Sequence, residues 1–285
     1  MTVVLDVDRV VAQGLAFPEA PRWHDGQLWF SDMAAQKVMK LGRDGELSTV
    51  VEMPGQPSGL GWLPDGRMLV VSMTDRRLLR LDPGGLTVVA DLSPWVPFHC
   101  NDMVVDRRGR AYIGNFGFDL PARAEVKPTV LLLVTPEGKA SVAAEGLMFP
   151  NGSAITPDDR TLIVGETFAA RLTAFSIGSD GSLSDRRDWA KLDGAVPDGV
   201  CLDAEGALWV ASPRSREVLR VREGGEVTHR IRTENQAVAC MLGGPERRTL
   251  FVLSCQVAHE RDKSTALKSG RIESVGVEVP GAGLP

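Results

Sequence analysis

The stretch Pro64-Asp65-Gly66-Arg67-Met68-Leu69-Val70-Val71-Ser72 is a tight turn that leads directly into a short apolar strand. A turn followed by such a run is typical of a β-hairpin. The arrangement recurs at intervals of 40 to 50 residues along the chain. Its six copies occupy residues 24–31, 64–72, 108–114, 157–165, 205–212 and 245–254. The sequence is therefore built from six repeats of one unit.

Each copy continues into an alternating strand and a second turn, as in Arg77–Asp82 before Pro83-Gly84-Gly85. About four antiparallel strands at this period are the signature of a propeller blade. We predict an all-β fold, a single six-bladed β-propeller of four-stranded blades over residues 1–285. The segment 3–11 has no unit of its own, so we expect it to pair with the last blade near 270–279 and to close the ring. The predicted blades span about 15–54, 55–96, 97–145, 146–193, 194–235 and 236–279, the last joined by strand 3–11.

The composition agrees with a turn-rich globular protein. Thirty glycines and 18 prolines are spread along 285 residues without a low-complexity tract. A net charge of −5 argues against a nucleic-acid partner, and no apolar run is long enough to span a membrane. The four cysteines form no CxxC pair, and the first residues do not resemble a signal peptide. We therefore expect a cytoplasmic protein.

Polar residues share one register at the start of the predicted innermost strands, which line the central channel of a propeller. Two carboxylates and two carboxamides that face one axis need a counter-charge. Oxygen donors with a charge of −2 suit a hard divalent cation, Ca²⁺ first, with Mg²⁺, Mn²⁺ and Zn²⁺ as alternatives. The competing interpretation is that Pro-Asn-Gly and Pro-Asp-Gly are ordinary turns. The six register positions are Glu19, Ser58, Asn101, Asn151, Asp198 and Ala239.

Four motifs in this register resemble those of the SMP-30/gluconolactonase/LRE-like family of six-bladed propellers. They are Phe17-Pro18-Glu19-Ala20-Pro21-Arg22-Trp23, Cys100-Asn101-Asp102-Met103-Val104-Val105-Asp106, Phe149-Pro150-Asn151-Gly152-Ser153 and Val196-Pro197-Asp198-Gly199-Val200-Cys201-Leu202-Asp203.

The resemblance implies that Glu19, Asn151 and Asp198 bind the metal, that Asp198 is also the general base, and that Asn101 contacts the substrate or a water beside the metal. One position departs from the family, because His99 stands where sugar-lactonase members carry an arginine. A sugar lactone is therefore less favoured as the substrate.

The walls of the pocket follow from the predicted topology. Residues that end the second strands should lie near the mouth, which makes Asn115 and Glu166 candidates for substrate contacts. His99 and Phe116 are further candidates, His99 as a hydrogen-bonding group beside Asn101. The connection 116–128 is about ten residues longer than its counterparts, which indicates either a lid or a surface insertion.

Together these features predict a metal-dependent hydrolase that opens a lactone, with a small molecule as its partner. A cation can polarise the carbonyl group, while a carboxylate takes a proton from the attacking water, and no GxSxG nucleophile motif is present.

A phosphotriesterase-like hydrolase could use the same site, and a non-catalytic calcium-binding scaffold is the alternative of a different class. A strictosidine synthase-like enzyme fits less well, because that branch lacks the Glu/Asn/Asp set. Sequence does not indicate the oligomeric state.

Overall fold

Each of the six sequence copies supplies the turn and the second strand of a separate sheet in the computed structural model, which describes residues 2–42, 45–256 and 260–285. The first strands of neighbouring sheets contact one another in a closed ring, so the sheets are arranged radially around a central channel. The predicted all-β fold, a six-bladed propeller with four-stranded blades, is confirmed.

The strands of the first three blades follow one another in sequence order. They are β3 (Pro18–His24), β4 (Gln27–Asp32), β5 (Lys37–Leu41) and β6 (Leu47–Glu52) in blade 1, β7 (Pro57–Trp62), β8 (Met68–Ser72), β9 (Arg77–Asp82) and β10 (Gly85–Asp91) in blade 2, and β11 (Cys100–Val105), β12 (Ala111–Asn115), β13 (Thr129–Val134) and β14 (Ala140–Leu147) in blade 3.

The other blades repeat this order, except that two strands come from the start of the chain. The strands are β15 (Pro150–Ile155), β16 (Thr161–Glu166), β17 (Arg171–Ile177) and β18 (Leu183–Lys191) in blade 4, β19 (Val200–Leu202), β20 (Leu208–Ser212), β21 (Glu217–Val221), β22 (Val227–Arg232) and β1 (Val3–Leu5) in blade 5, and β23 (Gln236–Gly243), β24 (Thr249–Cys255), β25 (Gly270–Gly276) and β2 (Arg9–Leu15) in blade 6.

The ring is closed by β2, which pairs antiparallel with β25 and is the outermost strand of blade 6. The expectation of one continuous strand over 3–11 is wrong in detail. The segment breaks at residues 6–8, and β1 pairs in parallel with β22 on the outer edge of blade 5. β2 thus supplies the outermost strand of blade 6, and β1 adds a fifth strand to blade 5 that pairs with backbone groups on the outer edge of β22.

Aspartates organise the hairpin turns between the first and second strands. Oδ1 of Asp106 accepts hydrogen bonds from the backbone N–H groups of Arg108 and Arg110, each at 2.9 Å, while Oδ2 pairs with the Arg110 guanidinium at 2.6 Å. In blade 5, Asp203 repeats the backbone pattern and pairs with Arg220 at 2.7 Å. These side chains fix the turn geometry that the repeat indicated.

Six connections join second to third strands at one end of the channel. Four of them are four-residue turns, at residues 33–36, 73–76, 167–170 and 213–216. Blades 3 and 6, which lie opposite each other, carry longer connections at residues 116–128 and 256–269. The second contains the helix α1 (Arg261–Leu267), and residues 257–259 within it lie outside the described part. No helix in the described ranges is long and apolar enough to cross a membrane.

Candidate functional site

The residues of the predicted ring lie where the innermost strands are irregular. The ladder shifts register between Glu19 and Arg22 in β3, between Cys100 and Met103 in β11, and between Pro150 and Ser153 in β15. Such bulges turn side chains out of the regular alternation and are common beside active sites. They aim Glu19 and the two ring asparagines at the cavity.

Glycines next to the ring residues allow the inner strands to approach closely. A Cβ atom on Gly152 would lie 2.4 Å from the backbone oxygen of Asp198, and one on Gly199 would lie 2.6 Å from Cβ of Ala239. Only a residue without a side chain fits between these backbones. The close approach brings Asn151 of blade 4 against Asp198 of blade 5.

Asn151 and Asp198 are joined directly. Nδ2 of Asn151 donates to Oδ1 of Asp198 at 2.6 Å and to Oγ1 of Thr167 at 3.2 Å, and the Thr167 hydroxyl donates to the carbonyl oxygen of Pro197 at 2.8 Å. The amide nitrogen of Asn151 therefore makes its hydrogen bonds within the protein. The amide oxygen of Asn151 has no hydrogen-bond donor among the described residues, so it is available to a ligand.

Glu19 and Asp198 form a pair of like charges on the cavity floor. Burial, together with the charge of Asp198, raises the pKa of Glu19 well above its usual range, although the Ala20 N–H at 2.8 Å opposes the shift. Burial also raises the pKa of Asp198 to about 8, against the hydrogen bond from Asn151. Two carboxyl groups in this setting are costly to ionise without a cation.

The nearest basic side chain does not supply that cation. Arg22 donates to Oδ1 of Asp102 at 2.6 Å, and both side chains are almost fully buried. Its guanidinium also donates to the carbonyl oxygens of Leu60 and Met103, so it braces three blades. The charge of Arg22 is thus matched by Asp102.

These observations test whether a metal ion suits the site. In the described part of the chain, no group of three or more His, Cys, Asp and Glu side chains could hold a metal. A site here would need the amide oxygens of Asn151 or Asn101 beside the carboxylates of Glu19 and Asp198. Oxygen donors of this kind suit Ca²⁺ or Mg²⁺. The residues therefore fit a hard divalent cation, and the ligand assignment stays a prediction.

Two cavities meet at this floor and share Phe149, Asn151 and Asp198. The first, which we call the aromatic lobe, has a volume of about 340 Å³ and includes Glu19, Asn101, His99 and Phe116 in its wall. The second, which we call the arginine lobe, has a volume of about 610 Å³. Its wall includes Leu120, Thr167, Phe168, Val196, Arg214 and Arg216.

Stacked rings form one side of the aromatic lobe. His99 stacks on Phe98 with centroids 4.0 Å apart and meets the edge of Phe116 at 5.7 Å, while Phe116 stacks on Phe149 at 4.6 Å. Burial, helped by the charge of Arg76 and opposed by Asp119, lowers the pKa of His99. At neutral pH His99 is thus an uncharged hydrogen-bonding group, unlike the arginine expected there in sugar lactonases.

Two predicted contact residues lie away from both lobes, and their expected role needs correction. The side chain of Asn115 bonds to the carbonyl oxygen of Val130 and to the Thr129 hydroxyl, each at 2.6 Å. Glu166 is fully buried and accepts hydrogen bonds from Met148 N–H at 2.8 Å and Arg171 at 2.9 Å, as well as from Thr173 and Arg186. Their polar atoms are used in hydrogen bonds within the protein, so neither is positioned to touch a substrate.

Residues that end the second strands share this structural role. Asp32 accepts from the N–H groups of Ala16 and Phe17 at 3.0 and 2.7 Å, and the Ser212 hydroxyl accepts from Val196 N–H at 3.1 Å. In blades 1 and 5 these bonds secure the segment that enters the inner strand. Ser58 and Ala239 are buried and line neither lobe.

Sequence reasoning missed part of the wall. Arg214 and Arg216 belong to the 213–216 turn, and Arg261 and Ser264 of α1 line the aromatic lobe. The equivalence of the four-residue turns, visible in the repeat, could have identified the first two. The 116–128 connection, considered as a lid, contributes Leu120 to one lobe and Pro121 to the other.

Comparisons with known proteins agree with this architecture. The family model described as SMP-30/Gluconolactonase/LRE-like region matches residues 17–256. A 6-deoxy-6-sulfogluconolactonase of Pseudomonas putida is 28% identical and a regucalcin of Xenopus laevis 26% identical, each over 97% of this chain and 96% of the relative. The crystal structure of a calcium-binding protein, regucalcin, from Agrobacterium tumefaciens superimposes with a TM-score of 0.84, covers 100% of this chain and 99% of its own, and is 24% identical.

Proposed function

The chain belongs to the SMP-30/gluconolactonase/LRE-like family, and from that premise we propose that it hydrolyses a lactone at the floor shared by the two lobes. The observation that carries the proposal is the carboxyl pair of the partly buried Glu19 and the buried Asp198 in one cavity wall. Desolvation disfavours the ionisation of both groups, and neither forms an ion pair with a basic side chain in the described chain. Relatives named as lactonases support the reaction class.

Glu19, Asn151 and Asp198 would hold a divalent cation, Ca²⁺ in the first instance, which supplies charge that polarises the lactone carbonyl and offsets the negative charge of the reacting oxygens. The role of the protein is to provide oxygen donors in a fixed arrangement. The bond from Asn151 orients Asp198, and the close approach at Gly152 and Gly199 keeps the two strands in place.

Asp198 accepts the proton of the attacking water. One of its oxygens, Oδ1, accepts from Asn151, which leaves Oδ2 for the water. The water oxygen bonds to the carbonyl carbon, the ring C–O bond then breaks, and the proton passes to the leaving alkoxide. The product is a hydroxy acid. Asn101 and His99, which line the same cavity, contribute hydrogen bonds to the substrate.

The test is a panel of aliphatic, aromatic and sugar lactones, with paraoxon included, assayed by proton release after EDTA treatment and restoration of Ca²⁺, Mg²⁺, Mn²⁺ or Zn²⁺. We expect lactone opening that EDTA removes and one of these ions restores. The variants Asp198→Asn and Glu19→Gln should lose at least a hundredfold in kcat/KM, while Glu137→Gln, an exposed carboxylate far from the floor, should not change it.

Other outcomes would contradict parts of the proposal. Full activity of Asp198→Asn would exclude it as the base, and full activity after EDTA would exclude the cation. Hydrolysis of paraoxon alone would indicate a phosphotriesterase-like enzyme. Binding of Ca²⁺ without turnover of any compound would favour a calcium-binding scaffold.

A further inference from the structure

The four-residue turns at the mouth, here called mouth turns, have a common geometry. Each ends in a residue with left-handed backbone, with φ angles of 49° to 60° at Gln36, Arg76, Ala170 and Arg216. The second residue of every mouth turn lines one of the two lobes. These four equivalent positions are occupied by Ala34, Thr74, Phe168 and Arg214. Only blade 5 presents a charged side chain there.

The blade 5 turn carries two arginines whose side chains have no hydrogen bond or ion pair in the part of the chain that the structure describes. Both Arg214 and Arg216 line the arginine lobe, and both are exposed to it. Two further arginines near the mouth are engaged, since Arg76 donates to the carbonyl oxygen of Val96 and Arg261 to Oε1 of Gln36. The cationic groups of Arg214 and Arg216 are thus available.

The turn itself is held firmly. The Ser215 hydroxyl donates to the Ser212 hydroxyl at 2.8 Å, Thr233 N–H donates to the backbone oxygen of Arg216 at 3.0 Å, and Pro213 restricts the first residue. Two guanidinium groups on a rigid turn lose less conformational entropy when they bind a ligand.

The surroundings of the two arginines define the ligand. Asp198 is the one carboxylate that the arginine lobe includes, it lies buried on the floor, and no ion pair between it and either arginine occurs in the described structure. Phe168, Leu120 and Val196 make the rest of the wall largely apolar. A ligand that spans the lobe therefore meets a reacting centre at one end and free positive charge at the other.

We propose that Arg214 and Arg216 bind an oxyanion carried by the substrate, so that the lactone opened at Asp198 bears a carboxylate, sulfonate or phosphate substituent. The inference rests on the proposed function and names its substrate class. Guanidinium groups match the geometry of oxyanions and form charge-assisted hydrogen bonds with them. Phe168, which packs on Phe118 and Phe149 at 5.3 and 5.2 Å, offers an apolar surface to the carbon atoms of the lactone.

The test compares 5-oxotetrahydrofuran-2-carboxylate with its carboxamide, two γ-lactones of nearly equal size that differ in charge, and adds a sulfonated lactone as a second anion. We expect the KM of the parent to be lower for the anionic lactones than for the carboxamide. The Arg214→Gln/Arg216→Gln double variant should raise KM for the anions at least tenfold and leave KM for the carboxamide within about twofold. Arg160→Gln, an exposed arginine in a turn between first and second strands, is the matched control.

The dependence of KM on ionic strength distinguishes a direct charge contact from a purely structural effect of the substitutions. KM of the parent for the anions should rise with salt, whereas KM of the double variant should not. Equal changes in KM for the carboxylate and the carboxamide would overturn the inference while leaving lactone hydrolysis intact. If the parent opens no lactone, the proposed function fails. Calorimetric titration of the carboxylate then decides the inference, and equal affinity in parent and double variant overturns it.

Discussion

Replacing Arg22 by methionine should destabilise the protein strongly, because the guanidinium neutralises a buried carboxylate and joins three blades. It donates to the carbonyl oxygens of Leu60 at 3.0 Å, Pro21 at 2.7 Å and Met103 at 2.5 Å, and to Oδ1 of Asp102 at 2.6 Å. Methionine keeps much of the length but none of the donors. Among the described residues, Asp102 would then keep the hydrogen bond from Met103 N–H, at 2.8 Å, as its one remaining side-chain partner.

The expected cost follows from the burial of the pair. The side chains of Arg22 and Asp102 are 4% and 8% exposed, and breaking a buried ion pair on one side typically costs about 3–5 kcal/mol. An exposed ion pair on the protein surface serves as the comparison. Arg67 and Asp65 lie at 2.5 Å but are 41% and 50% exposed, so Arg67→Met should leave the free energy of unfolding almost unchanged.

The assay is urea unfolding of the parent, Arg22→Met and Arg67→Met, followed by fluorescence and circular dichroism. Adding Asp102→Asn to Arg22→Met removes the unpaired charge and should recover at least half of the loss. The reasoning is refuted if Arg22→Met unfolds at the same midpoint as Arg67→Met. It is also refuted if the double variant is no more stable than Arg22→Met.

Three further predictions concern packing, pH and metal. Gly199→Ala should cost about 1–3 kcal/mol in urea unfolding, because the new Cβ would lie 2.6 Å from that of Ala239, while Gly84→Ala, with open space around it, should cost under about 0.5 kcal/mol. Burial tends to raise the pKa of Glu166, but hydrogen bonds from Arg171, Thr173 and Met148 outweigh it and hold the pKa below the usual value. The difference in free energy of unfolding between parent and Glu166→Gln should therefore be largest at neutral pH and shrink as the pH falls below about 4. A difference that stays constant down to pH 3 would contradict this. Ca²⁺ at about a hundred times its Kd should stabilise the parent by about 2.7 kcal/mol in thermal unfolding and leave Asp198→Asn unchanged; an equal shift in both would remove Asp198 from the ligand set.

The repeat of turns and apolar strands was sufficient to predict the propeller, because each blade is a local unit of neighbouring strands. Closure by the N-terminal segment was predictable because that segment has no repeat unit of its own. The position of Val3–Leu5 was not, since a three-residue strand has no periodicity. Its pairing with His229–Ile231 depends on how blades 5 and 6 lie beside each other.

The candidate site was predictable to the extent that it follows the repeat. A common register identified Glu19, Asn101, Asn151 and Asp198 as residues at one height, and all four line the aromatic lobe. Glu166 shows the limit of this reasoning. Its place in the chain predicts its height on the blade, but not that it accepts bonds from residues 148, 171, 173 and 186, which belong to three different strands or loops.

The pairing of β2 with β25 has a consequence for biosynthesis. Leu15 and Gly270 are partners in one ladder although they are 255 positions apart in the chain. A ribosome therefore releases β2 long before its partner exists, and Val10, which remains 46% exposed even in the finished blade, has no sheet to join during that time. Blades 1 to 5 can form as they emerge, but blade 6 is completed only after β25 has been translated. The nascent chain thus carries an unpaired strand, the type of segment that chaperones bind and that aggregates at high concentration.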